Sequence, residues 1–408
     1  MPEKILGING LGRIGKLTLW HHIGRKYFSQ IVVNLGRKAG TSLKDIAFYI
    51  EHDSTYGRLH NYLYGYRSKS VIENINESDS TVVIDGIPVK ILTESRNPKD
   101  IQWEKHGVRL VVDTTGKFLD PTLPSDAKDG SVRGHIDSGA YKVLVSAPFK
   151  IKDKTKDIPE DSITIIMGIN EEMYDNKRHL IISGASCTTT CLAHMMKPLL
   201  DYFGPERILS VSMATVHAVT ASQEVLDRVP KADAKDLRKI RSAMNNIILT
   251  STGAAKTLAL VLPEMKNIGF IAQSVRVPII TGSLIILVVA FRDEEANIIT
   301  RELINNIYKE AAEREKRGYL LFTEDQKVST DIIGFFGPAA IIEGSETHTR
   351  TAMVNLDVST LCSVGSPSVD RIQVPITQAV IYGWYDNELG SYTNMLGDLT
   401  VKVAADVY

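Results

Sequence analysis

Short apolar runs recur along the first half of the chain, and the first of them is followed by a helix-like segment. The run Ile5–Ile8 ends in a glycine cluster and is followed by Arg13–His22, whose apolar positions suit a helix, and by the β-branched run Ile31–Val33. This order predicts a βαβ unit with two parallel strands. Further strands are predicted at Val82–Ile84, Val89–Leu92, Leu110–Val112, Val143–Val145, Ile163–Met167 and Leu180–Ile182.

The pattern changes after residue 183. A long polar segment, Gln223–Arg241, precedes the apolar runs Val275–Val277 and Ser283–Phe291, which predict long strands and therefore a second sheet of a different kind. We also predict a charged surface helix within Ile298–Gly318 and a C-terminal helix within Thr393–Ala405. The segments predicted to be irregular are 62–80, 121–133 and 347–375.

Composition narrows the class of protein. The chain has 408 residues, which is enough for two or three domains, and its 47 Lys and Arg against 48 Asp and Glu leave a net charge of −1. This balance gives no excess of positive charge with which to bind nucleic acid, and no apolar run is long enough to span a membrane. The three cysteines Cys187, Cys191 and Cys362 are too few for a disulfide framework, so we expect a cytoplasmic protein.

A glycine turn follows the first predicted strand. Gly10, Gly12 and Gly15 fit the pattern G-x-G-x-x-G between a strand and a helix. Without a Cβ atom, such a turn lets a pyrophosphate approach the free N–H groups at the helix N-terminus. The sequence therefore predicts dinucleotide binding here, with an ordinary tight turn as the alternative.

The residue that usually holds the ribose diol of the dinucleotide is missing. A carboxylate is expected about 20 residues after the glycines, but that position is Leu35, and Arg37 and Lys38 follow it. Two cations at this place suit a 2′-phosphate, so cofactor choice leans away from strict use of NAD. The alternative is that Arg37 and Lys38 belong only to a solvated loop.

Cys187 is the candidate nucleophile. It lies where a predicted strand passes into a predicted helix, with Ser186 as a candidate cap, and a helix N-terminus favours the thiolate. Cys191 and Cys362 are interpreted as packed apolar residues, and no ligand set for a metal is completed around them. His217, in a β-branched strand, is the candidate base, although a core histidine is the alternative and His179 and His194 are not excluded.

These motifs, taken together, resemble the glyceraldehyde-3-phosphate dehydrogenase family from end to end. The resemblance implies an α/β fold with a Rossmann dinucleotide-binding domain at residues 1–186 and 386–408 and an α+β catalytic domain with a mostly antiparallel sheet at 187–385. It also implies a homotetramer. The matching segments are Gly7–Gly15, Asp53–Gly57, Thr114–Gly116, Ser146–Pro148, Ala185–Thr189, Thr215–Ala218, Ser251–Lys256, Arg276–Pro278 and Trp384–Glu388.

The resemblance also implies a reaction and its site. Glyceraldehyde 3-phosphate would be converted to 1,3-bisphosphoglycerate through a thioester on Cys187, with His217 as base and NAD or NADP as hydride acceptor. The implied partners are therefore a phosphorylated aldehyde and inorganic phosphate. The implied cofactor residues are Gly10, Gly12, Arg13, Ile14, Gly15, Thr115 and Asn387, to which the spacing after the glycines adds Arg37. Implied phosphate-binding residues are Thr220 and Arg276 for the substrate, and Ser186, Thr188, Lys239, Thr252 and Gly253 for the attacking phosphate.

Several positions depart from the family pattern. Leu35 replaces the ribose-binding aspartate, Gly184 and Thr190 replace asparagines beside the nucleophile, and Lys239 replaces an arginine. Lysine keeps the charge but loses the planar fork of arginine. Two alternative functions therefore stay open, namely an erythrose-4-phosphate dehydrogenase and a catalytically weak scaffold or binding protein of the same fold.

Overall fold

The computed structural model describes residues 3–221, 223–230, 232, 234–294, 298–357 and 371–408. Cys362 lies outside these residues, as does the middle of the segment 347–375. The chain forms two compact units. Unit 1 comprises Met1–Cys187, Ile333–Phe336 and Asp386–Tyr408, and unit 2 comprises Thr188–Ile332 and Gly337–Tyr385.

Unit 1 begins with the predicted strand–helix–strand order and has a strand at each further predicted position up to residue 183. Its strands are β1 (Ile5–Asn9), β2 (Gln30–Asn34), β3 (His52–Asp53), β4 (Gly57–Arg58), β5 (Ile72–Asn76), β6 (Thr81–Ile84), β7 (Ile87–Leu92), β8 (Leu110–Asp113), β9 (Lys142–Val145), β10 (Ser162–Thr164) and β11 (Ile181–Ser183). Its first helices are α1 (Arg13–Arg25), α2 (Leu43–Glu51), α3 (Leu59–Tyr64) and α4 (Gly134–Asp137).

Unit 2 follows from the cysteine turn onward. Its helices are α5 (Cys187–Phe203, whose first residue belongs to unit 1), α6 (Ala254–Val261), α7 (Arg301–Arg314) and α8 (Ser329–Ile332). Its strands are β12 (Ile208–His217), β13 (Ile248–Thr250), β14 (Gly269–Arg276), β15 (Ser283–Arg292), β16 (Leu320–Thr323), β17 (Ala340–Glu343), β18 (His348–Asp357) and β19 (Arg371–Tyr385). The chain then returns to unit 1 through a π-helical turn, Leu389–Thr393, and α9 (Asn394–Ala405).

Short 3₁₀ turns complete the described elements. They lie at Pro98–Asp100, Trp103–His106, Glu171–Met173, Pro205–Arg207, Leu237–Ile240, Pro263–Asn267 and Gly344–Glu346. Among all the described helices, none combines the length and the apolar character that crossing a membrane requires.

The sheet of unit 1 is the doubly wound sheet that the Rossmann expectation requires. Its strand order is β10-β11-β9-β8-β1-β2-β7-β6-β5, with parallel pairing from β10 to β7 and antiparallel pairing at the β7-β6-β5 edge. Strand β1 is buried along its whole length because helices cover both faces of such a sheet. Its carboxyl end delivers the glycine turn to the edge where dinucleotides bind in this class of fold.

Helix α9 packs against α1 and thereby completes unit 1. Arg25, in the last turn of α1, donates to the side chains of Asn394 at 2.7 Å and Asp398 at 2.8 Å. A Cβ atom on Gly397 would lie 2.7 Å from the Arg25 guanidinium carbon, so the Arg25 side chain would have to shift if residue 397 were larger. The last segment of the chain therefore belongs structurally with the first.

Unit 2 has the mostly antiparallel sheet that was expected. Its order is β13-β14-β12-β15-β19-β17-β16, and β18 pairs with β19. Among the described strands of this sheet, only the pairs β12-β14 and β16-β17 are parallel. Strand β15 alternates between buried and half-buried positions, so one of its faces is covered and the other is more open.

Two segments that were predicted to be irregular contain strands. Residues 348–357 form β18, and 72–76 form β5. Strand β18 lacks the apolar alternation that marks a half-buried strand because its side chains are mostly exposed, and its backbone pairing with β19 from His348↔Val380 to Asp357↔Arg371 defines it instead. The prediction of irregular structure was therefore wrong for both strands, while the described residues 121–133 contain no helix or strand.

Candidate active site

Each of the three glycines in the turn after β1 occupies a position where a different geometric feature favours glycine. Gly10 has a φ of +98°, which suits glycine, and Gly12 is the N-cap of α1 with nothing within 4 Å of an added Cβ. A Cβ on Gly15 would lie 2.2 Å from the carbonyl oxygen of Gly10 and 2.6 Å from Thr114 Oγ1. The three positions thus provide the sharp turn, the open approach to backbone N–H groups and the close packing that a pyrophosphate site needs.

A group of charged side chains surrounds the start of α1. Arg13 pairs with Asp53 and with Glu388, whose Oε2 lies 2.5 Å from Nη2, while the buried Lys16 pairs with Asp53 at 2.8 Å. Although burial opposes ionisation of Asp53, the hydrogen bonds from Lys16 and Arg13 lower its pKa to about 2. The Arg13 side chain is therefore engaged with two carboxylates, and these contacts connect the segment of Asn387 and Glu388 to α1.

A cavity of about 540 Å³ opens beside the glycine turn, within unit 1. Its lining includes Gly12, Leu35, Arg37, Asp45 and Tyr49. Asp45 is one carboxylate of this cavity, but its Oδ2 already accepts from Thr41 N at 2.6 Å, from Thr41 Oγ1 at 2.8 Å and, in the capping box of α2, from Ser42 N at 3.2 Å. The expected position of the ribose-binding carboxylate remains apolar, and Arg37 is exposed at the rim.

Cys187 is the first residue of α5, four residues after the end of β11, and is half-buried. Just before it, Ala185 is buried with a φ of +55°, and its carbonyl accepts from Tyr392 Oη at 3.1 Å. Burial and the nearby Cys187 raise the pKa of Tyr392 well above its ordinary value, so its hydroxyl stays a donor. The strand-to-helix turn that carries the thiol is therefore tightly held.

Gly184 has a packing explanation. A Cβ at this position would lie 2.9 Å from Leu396 Cδ1 of helix α9, closer than side-chain carbons normally approach. A larger residue at 184 would therefore require the Leu396 side chain of α9 to move. Thr190, the second departure, is buried in α5, where its carbonyl oxygen lies 2.9 Å from His194 Nδ1.

In unit 2, His217 is the last residue of β12 and is buried. Its Nδ1 lies 2.7 Å from the carbonyl oxygen of Ala218, and Arg276, the last residue of β14, contacts the same ring and donates to the same oxygen at 3.0 Å. Burial and the Arg276 charge lower the pKa of His217 to about 3. The imidazole is therefore neutral near neutral pH.

The structure shows that Tyr385, a residue to which we assigned no role from the sequence, lies among the predicted site residues of unit 2. The Tyr385 hydroxyl, fully buried at the end of β19, lies 3.1 Å from Thr188 Oγ1 and 2.8 Å from Thr215 Oγ1. Its ring also meets His217 edge-on, with centroids 6.0 Å apart. Tyr385 therefore connects the start of α5 to the strand that carries His217, a link between distant segments that no local pattern marks.

The other predicted phosphate-binding residues of unit 2 lie in turns. Thr220 donates its backbone N–H to Gln223 Oε1 at 2.8 Å, and Thr252 Oγ1 accepts from Ala254 N at 3.2 Å. Gly253 is the N-cap of α6, with open space around it, and Lys239 is exposed in the 3₁₀ turn Leu237–Ile240. Across the part of the chain that the structure describes, no group of three or more His, Cys, Asp or Glu side chains could hold a metal ion.

Comparison with known proteins agrees with this architecture. Residues 4–121 match the family model described as glyceraldehyde 3-phosphate dehydrogenase, NAD binding domain, and residues 186–358 match the model of the C-terminal domain of the same enzyme. A protein of Streptomyces avermitilis named glyceraldehyde-3-phosphate dehydrogenase 2 is 38% identical over 400 residues, which cover 98% of each chain. Glyceraldehyde-3-phosphate dehydrogenase 1 of Bacillus subtilis is 34% identical over 404 residues, 99% of each chain. The chain belongs to the glyceraldehyde-3-phosphate dehydrogenase family.

Family membership confirms the expected fold and class of activity. As a member of the glyceraldehyde-3-phosphate dehydrogenase family, the chain is an oxidoreductase with a Rossmann dinucleotide-binding domain and a catalytic C-terminal domain. A nicotinamide dinucleotide is its class of cofactor. The glycine turn and the neighbouring cavity fit such a group, because they offer open N–H groups and space on one side of α1.

Proposed function

We propose that this protein oxidises glyceraldehyde 3-phosphate and phosphorylates the product to 1,3-bisphosphoglycerate, with Cys187 as nucleophile and His217 as base. The observation that carries the proposal is the position of Cys187 as the first residue of α5, on a turn that hydrogen bonds hold firmly. The N–H groups of a helix N-terminus stabilise a thiolate there. Cys191, one turn later, is buried and serves packing.

The chemistry of Cys187 and His217 balances as follows. His217 takes the thiol proton of Cys187, the thiolate adds to the aldehyde carbon, and the imidazolium returns that proton to the oxygen, which gives a hemithioacetal. His217 then accepts the hydroxyl proton as the carbon loses a hydride and becomes a thioester, and this proton finally passes to solvent. When bound, the nicotinamide dinucleotide supplies the hydride acceptor for this oxidation. Inorganic phosphate then attacks the thioester carbonyl, the carbon–sulfur bond breaks, and the acyl phosphate leaves with the Cys187 thiolate restored.

His217 is neutral and can therefore accept a proton, as the proposed base must, while the burial and the Arg276 charge that keep it neutral also weaken it as a base. Nδ1 is engaged by the Ala218 carbonyl and by Arg276, so we assign Nε2 as the nitrogen that exchanges the reacting proton. A cation already lies against the ring, because Arg276 contacts it, and this cation favours the neutral form until a proton arrives. We assign the same Arg276, with Thr220, to the phosphate of the substrate.

The attacking phosphate is assigned to Ser186, Thr188, Thr252, Gly253 and Lys239. Hydroxyl groups, the open N-terminus of α6 at Gly253 and a lysine are donors that suit a phosphate oxyanion. The hydrogen bond between Thr188 and Tyr385 supports the assignment of Thr188, since it orients a hydroxyl next to the nucleophile.

For the cofactor, we propose use of NADP or relaxed use of both dinucleotides. The apolar Leu35 lines the cavity where a ribose-binding carboxylate is expected, and Arg37 at the rim supplies a cation for a 2′-phosphate. The backbone of Gly10, Gly12, Arg13, Ile14 and Gly15 would hold the pyrophosphate. Thr115 and Asn387 complete the assigned dinucleotide site.

We further propose the domain bounds 1–186 with 386–408 and 187–385, and a cytoplasmic homotetramer. Unit 2 exposes large apolar side chains that association would cover, including Val225 (66% exposed), Leu226 (76%), Val229 (85%) and Ile247 (74%). Light scattering coupled to size exclusion measures the assembly directly. A mass equal to one chain across the accessible concentration range contradicts the tetramer.

The function is tested by following reduced nicotinamide with purified protein, glyceraldehyde 3-phosphate, inorganic phosphate and either dinucleotide. We expect turnover that depends on phosphate. In Cys187→Ser, kcat should fall at least about a thousandfold, because the step through the thioester is removed. Cys191→Ser is the matched control in the same helix and should retain activity. Erythrose 4-phosphate is assayed in parallel, and a higher kcat/KM for it would favour the alternative substrate.

A folded protein that binds dinucleotide but reduces none of it with either aldehyde would overturn the enzymatic proposal. That result would favour the scaffold function. A time course of alkylation distinguishes the two further, since Cys187 should react faster than Cys191 and be protected by dinucleotide.

A further inference from the structure

A chain of hydrogen-bonded side chains runs under the glycine turn, inside unit 1. Trp103 Nε1 donates to His135 Nδ1 at 2.9 Å, and His135 Nε2 lies 3.0 Å from Asp113 Oδ2. Asn9 Nδ2 donates to the same carboxylate oxygen at 2.8 Å. Trp103, His135 and Asp113 are fully buried and Asn9 nearly so, which means that solvent cannot replace any of these bonds.

The donor and acceptor roles in this chain are fixed. An indole N–H can only donate, so His135 Nδ1 must accept and the ring proton lies on Nε2, from which it is donated to Asp113. Asp113 Oδ1 accepts in addition from Thr115 N at 2.9 Å and Thr115 Oγ1 at 2.6 Å. Although burial opposes ionisation, these bonds, led by that of His135, lower the pKa of Asp113, and the carboxylate stays charged.

The chain continues to the end of β2. Asn34 Nδ2 donates to Asn9 Oδ1 at 2.9 Å and to Ser95 O at 3.0 Å, and Asn34 Oδ1 accepts from Gly36 N at 3.2 Å. One buried carboxylate is thereby connected to the backbone around three segments at the carboxyl ends of β1, β2 and β8. These segments carry Gly10, Arg37 and Thr115, which we have assigned to the dinucleotide.

We propose that Asp113 and His135 are positioning residues that hold the three dinucleotide-binding segments in register, and that Trp103 senses dinucleotide binding through His135. The inference rests on the proposed dinucleotide site. Backbone N–H groups bind a pyrophosphate only when they are held in the correct orientation, and three loops from separate strands need a common anchor to stay so. Asp113 supplies this anchor. Its Oδ1 accepts from Thr115 in the segment after β8, its Oδ2 accepts from Asn9 at the end of β1, and Asn9 in turn accepts from Asn34 at the end of β2.

Two buried tryptophans make a matched test. Trp103→Phe removes the indole donor of the chain, whereas Trp20→Phe removes an equally buried indole that donates to Ile50 O at 2.7 Å and lies outside the chain. We expect Trp103→Phe to raise the dissociation constants of NAD⁺ and NADP⁺, measured by calorimetry, by about tenfold, with kcat at saturating dinucleotide within about threefold of the unmodified protein. Trp20→Phe should leave the dissociation constants within about twofold.

Substitutions of His135 test the relay itself. His135→Leu removes both bonds and should weaken dinucleotide binding more than Trp103→Phe does, whereas His135→Gln, whose amide can accept from Trp103 and donate to Asp113, should restore most of the affinity. A merely structural role predicts instead that His135→Gln and His135→Leu lose stability without this ordered effect on the dissociation constant. Trp103→Phe keeps the inference testable if His135→Leu does not fold.

The sensing role has its own readout. In protein labelled with ¹⁵N at tryptophan, the indole resonance that disappears in Trp103→Phe should shift when NADP⁺ is added, and the shift should be lost in His135→Leu, which breaks both hydrogen bonds between the indole and Asp113. A Trp103 resonance that stays unmoved at saturating dinucleotide, or dissociation constants equal in all variants, overturns the inference. Failure of the unmodified protein to bind either dinucleotide instead overturns the proposed function, so the two failures are distinguishable.

Discussion

A Cβ atom built on Gly15 would lie 2.2 Å from the carbonyl oxygen of Gly10. Helix α1 therefore sits directly on the turn that precedes it, and no side chain fits between them. We expect Gly15→Ala to lower the free energy of unfolding by about 2 kcal/mol and to weaken dinucleotide binding, because overpacking must move the backbone of the turn. Urea titration and calorimetry with NADP⁺ measure both. Gly269→Ala is the control, since nothing lies within 4 Å of a Cβ there, and an equal loss in the control would contradict this explanation.

The rim of the dinucleotide cavity predicts how cofactor choice responds to charge. Arg37→Ala should raise the KM for NADP about tenfold and that for NAD much less, because only NADP carries the 2′-phosphate. Leu35→Asp should act in the opposite direction and favour NAD, since a carboxylate would then stand where the ribose diol binds. Steady-state KM values for both dinucleotides decide this, and equal changes for the two would remove Arg37 from the cofactor site.

The parts of the site that could be predicted from sequence are those encoded within a few residues. The glycine turn and the cysteine turn are local, since each combines a strand end, small residues and a helix start in one short stretch. Tyr385 could not be predicted in the same way, because its hydroxyl bridges Thr188 and Thr215, which are 197 and 170 residues away. His135 was missed for the same reason, as its partners Trp103 and Asp113 come together only when the sheet has formed.

Secondary structure, too, was predicted where a local pattern encodes it and missed where none does. Strands with buried apolar runs were predicted close to where they lie, whereas β18 was missed because its mostly exposed side chains carry no periodic apolar pattern. Gly184 departs from the family's asparagine, and the structure shows what the neighbouring sequence does not, namely the close approach of Leu396 from a helix more than 200 residues later. Such packing constraints depend on the assembled structure and leave no mark in the neighbouring sequence.

Asp53 predicts how stability changes in acid. Its pKa of about 2 in the folded protein lies below the ordinary value of 3.8, so its contribution is present above the ordinary value and is lost as the pH falls toward 2. Asp53→Asn should cost about 3 kcal/mol near neutral pH, because the buried Lys16 loses its partner, and the difference from the unmodified protein should shrink between pH values of about 4 and 2. Urea midpoints across this range measure it. Asp201→Asn, which breaks the exposed pair with Lys197, is the control and should have little effect at any pH.

From the environment of His21 we predict that stability is also lost in a pH range above that of Asp53. Its Nε2 lies 2.8 Å from Leu389 O and its Nδ1 2.8 Å from Arg25 Nη1. Burial and the Arg25 charge lower its pKa to about 3. The unfolded chain binds this proton below an ordinary pKa of 6.5 while the folded protein does not, so stability falls as the pH drops from that value toward 3. His21→Gln should make the decline shallower by up to about 1.4 kcal/mol per pH unit. An unchanged slope in urea titrations would mean that His21 is not neutral in the folded protein.

Tyr385 predicts an effect on catalysis that burial alone would not cause. Its hydroxyl holds Thr188, beside the proposed nucleophile, and Thr215, two residues before His217 on the same strand. Tyr385→Phe keeps the ring and its contact with His217 but removes both hydrogen bonds, so we expect kcat to fall about tenfold while the KM for dinucleotide stays nearly constant.

Tyr308→Phe is the matched control in unit 2, because it removes a buried hydroxyl that donates to Met195 O at 2.8 Å without touching Thr188 or Thr215. If the two substitutions reduce kcat equally, loss of rigidity explains the result. If Tyr385→Phe alone lowers it, and more so at low phosphate concentration, its hydroxyl acts by orienting Thr188 toward the attacking phosphate.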